Sequence, residues 1–97
     1  MKNKLRHVSI AILVILLAAA MMACGGPEEK KAKFFDKGKQ LFEQGAYVKA
    51  ALEFKNAIQI DPKFAEAYYM LGRTVQRQGD LKGAFGSFSK AVDLNPD

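Results

Sequence analysis

Among the 97 residues there is one cysteine, Cys24, and one histidine, His7. A lone thiol cannot close an internal disulfide, and with a single imidazole beside it there is no metal-ligand set. What Cys24 keeps is its nucleophilicity: it is the one group here able to carry a thioether-linked glyceride. No catalytic set accompanies it. The sequence has no Ser-His-Asp combination and no phosphate-binding glycine loop. His7 belongs to a polar head, and Glu43, Glu53, Glu66 and Asp80 fall at helical spacing or in turns. Solvated faces account for those carboxylates better than paired acid–base work does. The expectation is no enzymatic activity and no cofactor.

The elements that position Cys24 lie before it. MKNKLRH is a short basic head, VSIAILVILLAAA is an apolar run, and MMAC and GGP follow. Basic, apolar and then small is the order of a secretory signal peptide, and the basic head should stay on the cytoplasmic side. Even counted through Ala23, the apolar block is short of the roughly 20 residues that span a bilayer comfortably. Met21-Met22-Ala23-Cys24 resembles the lipobox of bacterial lipoproteins, with Met21 and Met22 where Leu and a small residue are usual. That resemblance implies a signal peptide over 1–23 and Cys24 as the lipid-modified first residue of the mature chain. Several acyl chains, at about 0.8 kcal/mol per buried CH₂, would hold it firmly to a membrane. Two alternatives stand beside it: an ordinary signal peptide cut after Ala20, and an uncleaved membrane helix. Gly25 stands where, by the enterobacterial rule, Asp would retain a lipoprotein in the inner membrane, so outer-membrane delivery is permitted. The expected location is the cell envelope, with the folded part facing the periplasm or the exterior. Residues 24–30 read as a solvated tether, its glycines and Pro27 blocking helix continuation.

Every Asp and Glu comes after Cys24, and removing the leader's Lys2, Lys4 and Arg6 lowers the formal charge from +5 to about +2. The basicity of the whole chain therefore mostly describes the leader, and no nucleic-acid partner is expected. About 70 residues remain, a size at which one core is marginally self-sufficient.

Those residues repeat with a period of 34. Gly38, Gln44, Gly45, Ala50, Phe54, Ala57 and Pro62 recur as Gly72, Gln78, Gly79, Ala84, Phe88, Ala91 and Pro96, with no gap. Each copy holds two apolar stripes of helical spacing, separated by Gly45-Ala46 or Gly79-Asp80 and closed by Asp61-Pro62 or Asn95-Pro96. Helices are expected at 31–44, 47–60, 65–78 and 81–94. The period and residue types resemble the tetratricopeptide repeat, carried as Phe34, Gly38, Leu41, Ala50, Phe54, Ala57 and Pro62, then as Tyr68, Leu71-Gly72, Val75, Ala84, Phe88, Ala91 and Pro96. Lys37 stands where the first copy's Leu belongs, as suits a helix with no preceding repeat. The expected fold is all-α: two helix-turn-helix hairpins over 31–64 and 65–97, the start of an α-solenoid.

The resemblance implies a ligand groove on the wall made by the first helix of each hairpin. Carried onto this sequence, that wall is Phe35, Lys39 and Phe42, then Tyr69, Arg73 and Gln76, where two cations one repeat apart could meet a carboxylate of a protein or peptide partner. The Asn-rich carboxylate clamp of chaperone-binding repeats is missing. The apolar face carrying Phe88 and Val92 has no capping helix, and solenoids usually need about three repeats. Three readings follow: a membrane-tethered envelope scaffold, the anchored regulatory front of a longer and possibly enzymatic protein, or a tether that self-associates through the uncapped last helix. The scaffold is preferred. A looser resemblance, to repeat-rich envelope lipoproteins of exopolysaccharide and protein-sorting systems, points the same way.

Overall fold

A computed structural model describes residues 7–15 and 26–96. Residues 7–15 form an exposed helical stretch. Among the described residues, no helix is long and apolar enough to cross a membrane. The lipobox-like stretch and Cys24 lie outside the described residues, as does Asp97.

Four helices carry the repeat: α1 (Pro27–Glu43), α2 (Tyr47–Ile60), α3 (Ala65–Arg77) and α4 (Leu81–Leu94). They form two hairpins, α1–α2 and α3–α4, joined by the packing of α3 on α2, so the expected all-α solenoid start is present. The boundaries of α2 and α4 are those expected from the repeat register, and α3 stops one residue early. α1 departs most, because it starts at Pro27 rather than at residue 31 and takes up half of the expected tether. Proline breaks helix interiors, but at the first helical position its missing N–H costs nothing and its fixed φ is already helical. Glu28 and Glu29 then lie in the first turn, where the helix dipole favours negative charge. Glu28 also pairs with Lys31 at 2.9 Å.

The two hairpin turns are built alike. Gly45 and Gly79 have φ of +77° and +87°, the left-handed conformation that glycine adopts without strain. In the first turn the Gly45 N–H donates to Phe42 O at 3.0 Å and the Ala46 N–H donates to Leu41 O at 2.9 Å. In the second, Gly79 and Asp80 repeat these bonds onto Gln76 O and Val75 O at the same distances. The last helical carbonyls are satisfied while the chain reverses.

The core lies among α1, α2 and α3. Phe54, Ala50, Ala57 and Ala67 are wholly buried, with Phe35, Ala51 and Leu71 nearly so. Phe54 fills the space over Gly38, where a Cβ would stand only 2.6 Å from the ring; Phe88 does the same over Gly72 at 2.7 Å. Thr74 is buried with its hydroxyl donating to Met70 O at 2.6 Å. Burial peaks in the middle helices: α2 and α3 have four buried residues each, whereas α4 has only Ala84.

An ion pair ties α1 to the end of α2 within the first hairpin. Lys31 Nζ lies 2.9 Å from Asp61 Oδ2, and it also stands over the Phe64 ring at 4.8 Å. Asp61 accepts the Lys63 N–H as well, at 3.0 Å. Hydrogen bonds to Asp61 and then Glu28 hold the Lys31 ammonium above its ordinary 10.5. The same bond from Lys31, followed by that from Lys63, holds the Asp61 carboxyl below its ordinary 3.8.

Candidate functional site

The six residues expected on the groove do not form one surface. Phe35 is in the core, packed against Phe54 at 5.7 Å and Phe64 at 4.8 Å between ring centroids. Its place on the groove is therefore corrected. The stripe Phe35, Lys39, Phe42 runs along α1 at helical spacing, but Phe64, just before α3, and the end of α2 converge on its first turn. Only further along does the stripe reach solvent. Lys39 does so, with its ammonium 4.8 Å over the Phe35 ring and 3.6 Å from Asp36. It is an exposed cation already matched by its own helix, and such pairs contribute little.

Phe42 and Arg73 do meet. The Arg73 guanidinium lies 4.9 Å from the Phe42 ring centroid and 6.0 Å from that of Tyr69. Arg77, not expected from the sequence, adds a second guanidinium 5.7 Å from Phe42 and donates to the Tyr47 hydroxyl at 3.5 Å. The Phe42 ring is braced edge-on by Tyr47 at 5.4 Å. Two arginines one helical turn apart on α3 thus share an aromatic platform supplied by α1 and α2. Cation–π contact is worth about 0.5–1 kcal/mol at exposed sites and holds each guanidinium in place. Arg73 Nη1 donates to Met70 Sδ at 3.8 Å, but among the described residues neither arginine pairs with a carboxylate, so the remaining N–H donors of each fork can meet an anionic group. Gln76 is exposed beside them on α3. The signal for Arg77 was its i, i+4 spacing from Arg73; the repeat register hid it, since its counterpart is Glu43.

Tyr69 divides its contacts. It is the register partner of Phe35, and its ring meets Phe88 at 5.7 Å, as Phe35 meets Phe54. Phe35 is 8% exposed and Tyr69 is 50% exposed. The difference is Phe64, which covers Phe35 at 4.8 Å between ring centroids, whereas Tyr69 has no such cover among the described residues. Tyr69 therefore lines an apolar cleft of about 440 Å³ with Ala65, Glu66, Phe88, Ala91 and Val92, between α3 and α4. Val92 and Phe85 beside it are largely exposed. Among the described residues no cluster could hold a metal ion.

Comparison with known proteins agrees with this geometry. Residues 38–79 match the family model described as TPR repeat, and residues 65–97 match the one described as tetratricopeptide repeat. Protein O-mannosyl-transferase TMTC1 of Mus musculus is 36% identical over 64 residues, and that of Homo sapiens 34% over 64 residues. Each alignment takes in 66% of this chain and 7% of the relative, so the likeness concerns a small fraction of those proteins. The two repeat matches together span more than half of the chain, which belongs to the tetratricopeptide-repeat family.

Proposed function

We propose that this chain is a lipid-anchored scaffold of the bacterial cell envelope, which binds an acidic protein or peptide partner at Arg73 and Arg77. The observation that carries the binding half is the pair of guanidinium groups held over Phe42 with no carboxylate partner among the described residues. The interaction role has the support of the repeat family, whose hairpins generally bind protein partners. The tether rests on sequence alone: a basic head, an apolar run, and Cys24 after Met21-Met22-Ala23. Tyr69 flanks Arg73 at 6.0 Å, and Gln76 lies exposed on the same helix. Phe35 supports the wall from beneath.

The test is enrichment from a random peptide library on the immobilised chain. Wild type should select carboxylate-rich sequences, and Arg73→Glu with Arg77→Glu should lose that selection while its helical circular dichroism stays the same. Equal selection by both would remove these arginines from the reading. For the anchor, Cys24 in membrane-extracted protein should carry diacylglyceryl mass, absent from Cys24→Ala.

A second reading is favoured by the cleft at Tyr69, Phe88 and Val92, whose register counterparts in the first hairpin pack against a following helix. A helix of a longer protein, a partner or a second copy would fit there. Under that reading the chain is the regulatory front of a larger enzyme, or a self-associating tether.

A further inference from the structure

The outer faces of the two hairpins are chemically opposite. α3 packs on α2 through positions that include Phe64, Ala67, Met70 and Leu71, all in or against the core. Thirty-four residues earlier, the same positions of α1 are Lys30, Lys33, Asp36 and Lys37, all exposed. No helix can stack on this front face as α3 stacks on α2, because three ammonium groups would be buried.

A solubilising face needs charge of either sign, but this one has a sign and a place. Lys30, Lys33 and Lys37 stand at i, i+3 and i+7, one stripe along about 10 Å of helix. None of the three pairs with a carboxylate among the described residues, whereas Lys31 and Lys39 do. Glu29 and Asp36 lie at its margins. α1 starts at Pro27, three residues after Cys24, so at most about 10 Å of extended chain separates the helix from an anchor at Cys24. That is about one Debye length at 0.1 M salt, within which a charged surface is felt.

We propose that the Lys30, Lys33 and Lys37 face of α1 docks on anionic lipid headgroups of the membrane to which the chain is tethered, leaving the apolar end at Tyr69 and Phe88 pointing away from it. The placement near a membrane rests on the anchor reading; the docking itself is a property of the stripe. Each lysine near an anionic surface contributes about 1 kcal/mol. The stripe therefore favours docking about 150-fold if the flanking carboxylates do not count, and about fivefold if both count fully.

The experiment uses the full chain reconstituted into phosphatidylcholine vesicles with or without phosphatidylglycerol. Acetylation rates at Lys30, Lys33 and Lys37 are read by mass spectrometry against exposed Lys55 and Lys90. Slowing of the three by fivefold or more on anionic vesicles, reversed by 0.5 M salt and lost at each lysine when the other two are changed to Glu (Lys33→Glu with Lys37→Glu for the reading at Lys30, and likewise for the others), is the expected result. Equal rates on both lipids overturn the proposal. The mass of Cys24 is read in the same digest, so a chain held only by its leader, with no lipid on the thiol, rejects the anchor and leaves the docking measurement standing.

Discussion

Gly38 and Gly72 have nearly the same local geometry and should respond differently to the same substitution. At Gly38 an added Cβ would stand 2.6 Å from Phe54 Cε1, and at Gly72 2.7 Å from Phe88 Cδ1. Ordinary contact starts near 3.4 Å, so each ring must retreat by about 0.7–0.8 Å. Phe54 is wholly buried and has nowhere to go. Overpacking of that kind costs about 1–3 kcal/mol. Alanine recovers about 1 kcal/mol of helix propensity at either site, so Gly38→Ala should be destabilised by about 0–2 kcal/mol. Phe88 borders the open cleft and can tilt outward, leaving Gly72→Ala about 1 kcal/mol more stable. The separation of about 1–3 kcal/mol corresponds to at least about 4 °C in Tm for a domain of this size. Thermal and urea unfolding of the full chain in a mild detergent, followed by circular dichroism, measures it. If Gly72→Ala costs as much as Gly38→Ala, the cleft at Phe88 is closed in solution and the description of that face is wrong.

Three further outcomes can be checked in the same assay. A Cβ at Gly86 meets nothing, so Gly86→Ala should stabilise α4 by about 1 kcal/mol. At Gly83 it would collide with the Asp80 carboxylate that caps the helix, cancelling the gain. Phe35→Ala should cost about 3–5 kcal/mol, whereas Lys39→Ala should change stability by less than about 0.5 kcal/mol. The Lys31–Asp61 pair sets a pH window. The lowered carboxyl adds stability above 3.8 that is lost as pH falls through its folded value, below 3.8. The raised ammonium adds stability below 10.5 that is lost as pH rises through its folded value, above 10.5. Lys31→Met should be less stable across the intervening range and converge with wild type at the acid extreme.

Much of the architecture was legible because a gapless register reports both hairpins at once. The left-handed glycines followed from the turns, whereas the pairing of Phe54 with Gly38 and of Phe88 with Gly72 came from the structure, because periodicity does not say which ring covers which glycine. The start of α1 was not legible, because Gly-Gly-Pro reads as a breaker until proline is recognised as a first helical residue. Phe35 was misplaced for a different reason. Helical spacing shows which residues share a stripe, not which end of it a later helix covers, and that depended on Phe64. Arg77 escaped because the register compares residues 34 apart, whereas the site joins Arg73 and Arg77 within one helix to Phe42 on another.

A photo-cross-linking residue at Gln76 in intact cells would test the interaction role at the proposed surface most directly. Gln76 is exposed on α3 beside Arg73 and Arg77, and Lys55 is an exposed control on α2. Discrete products at Gln76, absent from the Lys55 control and lost with Arg73→Glu and Arg77→Glu, are expected. Products unchanged by the charge reversal, or no product beyond the control, would contradict a partner site on these arginines.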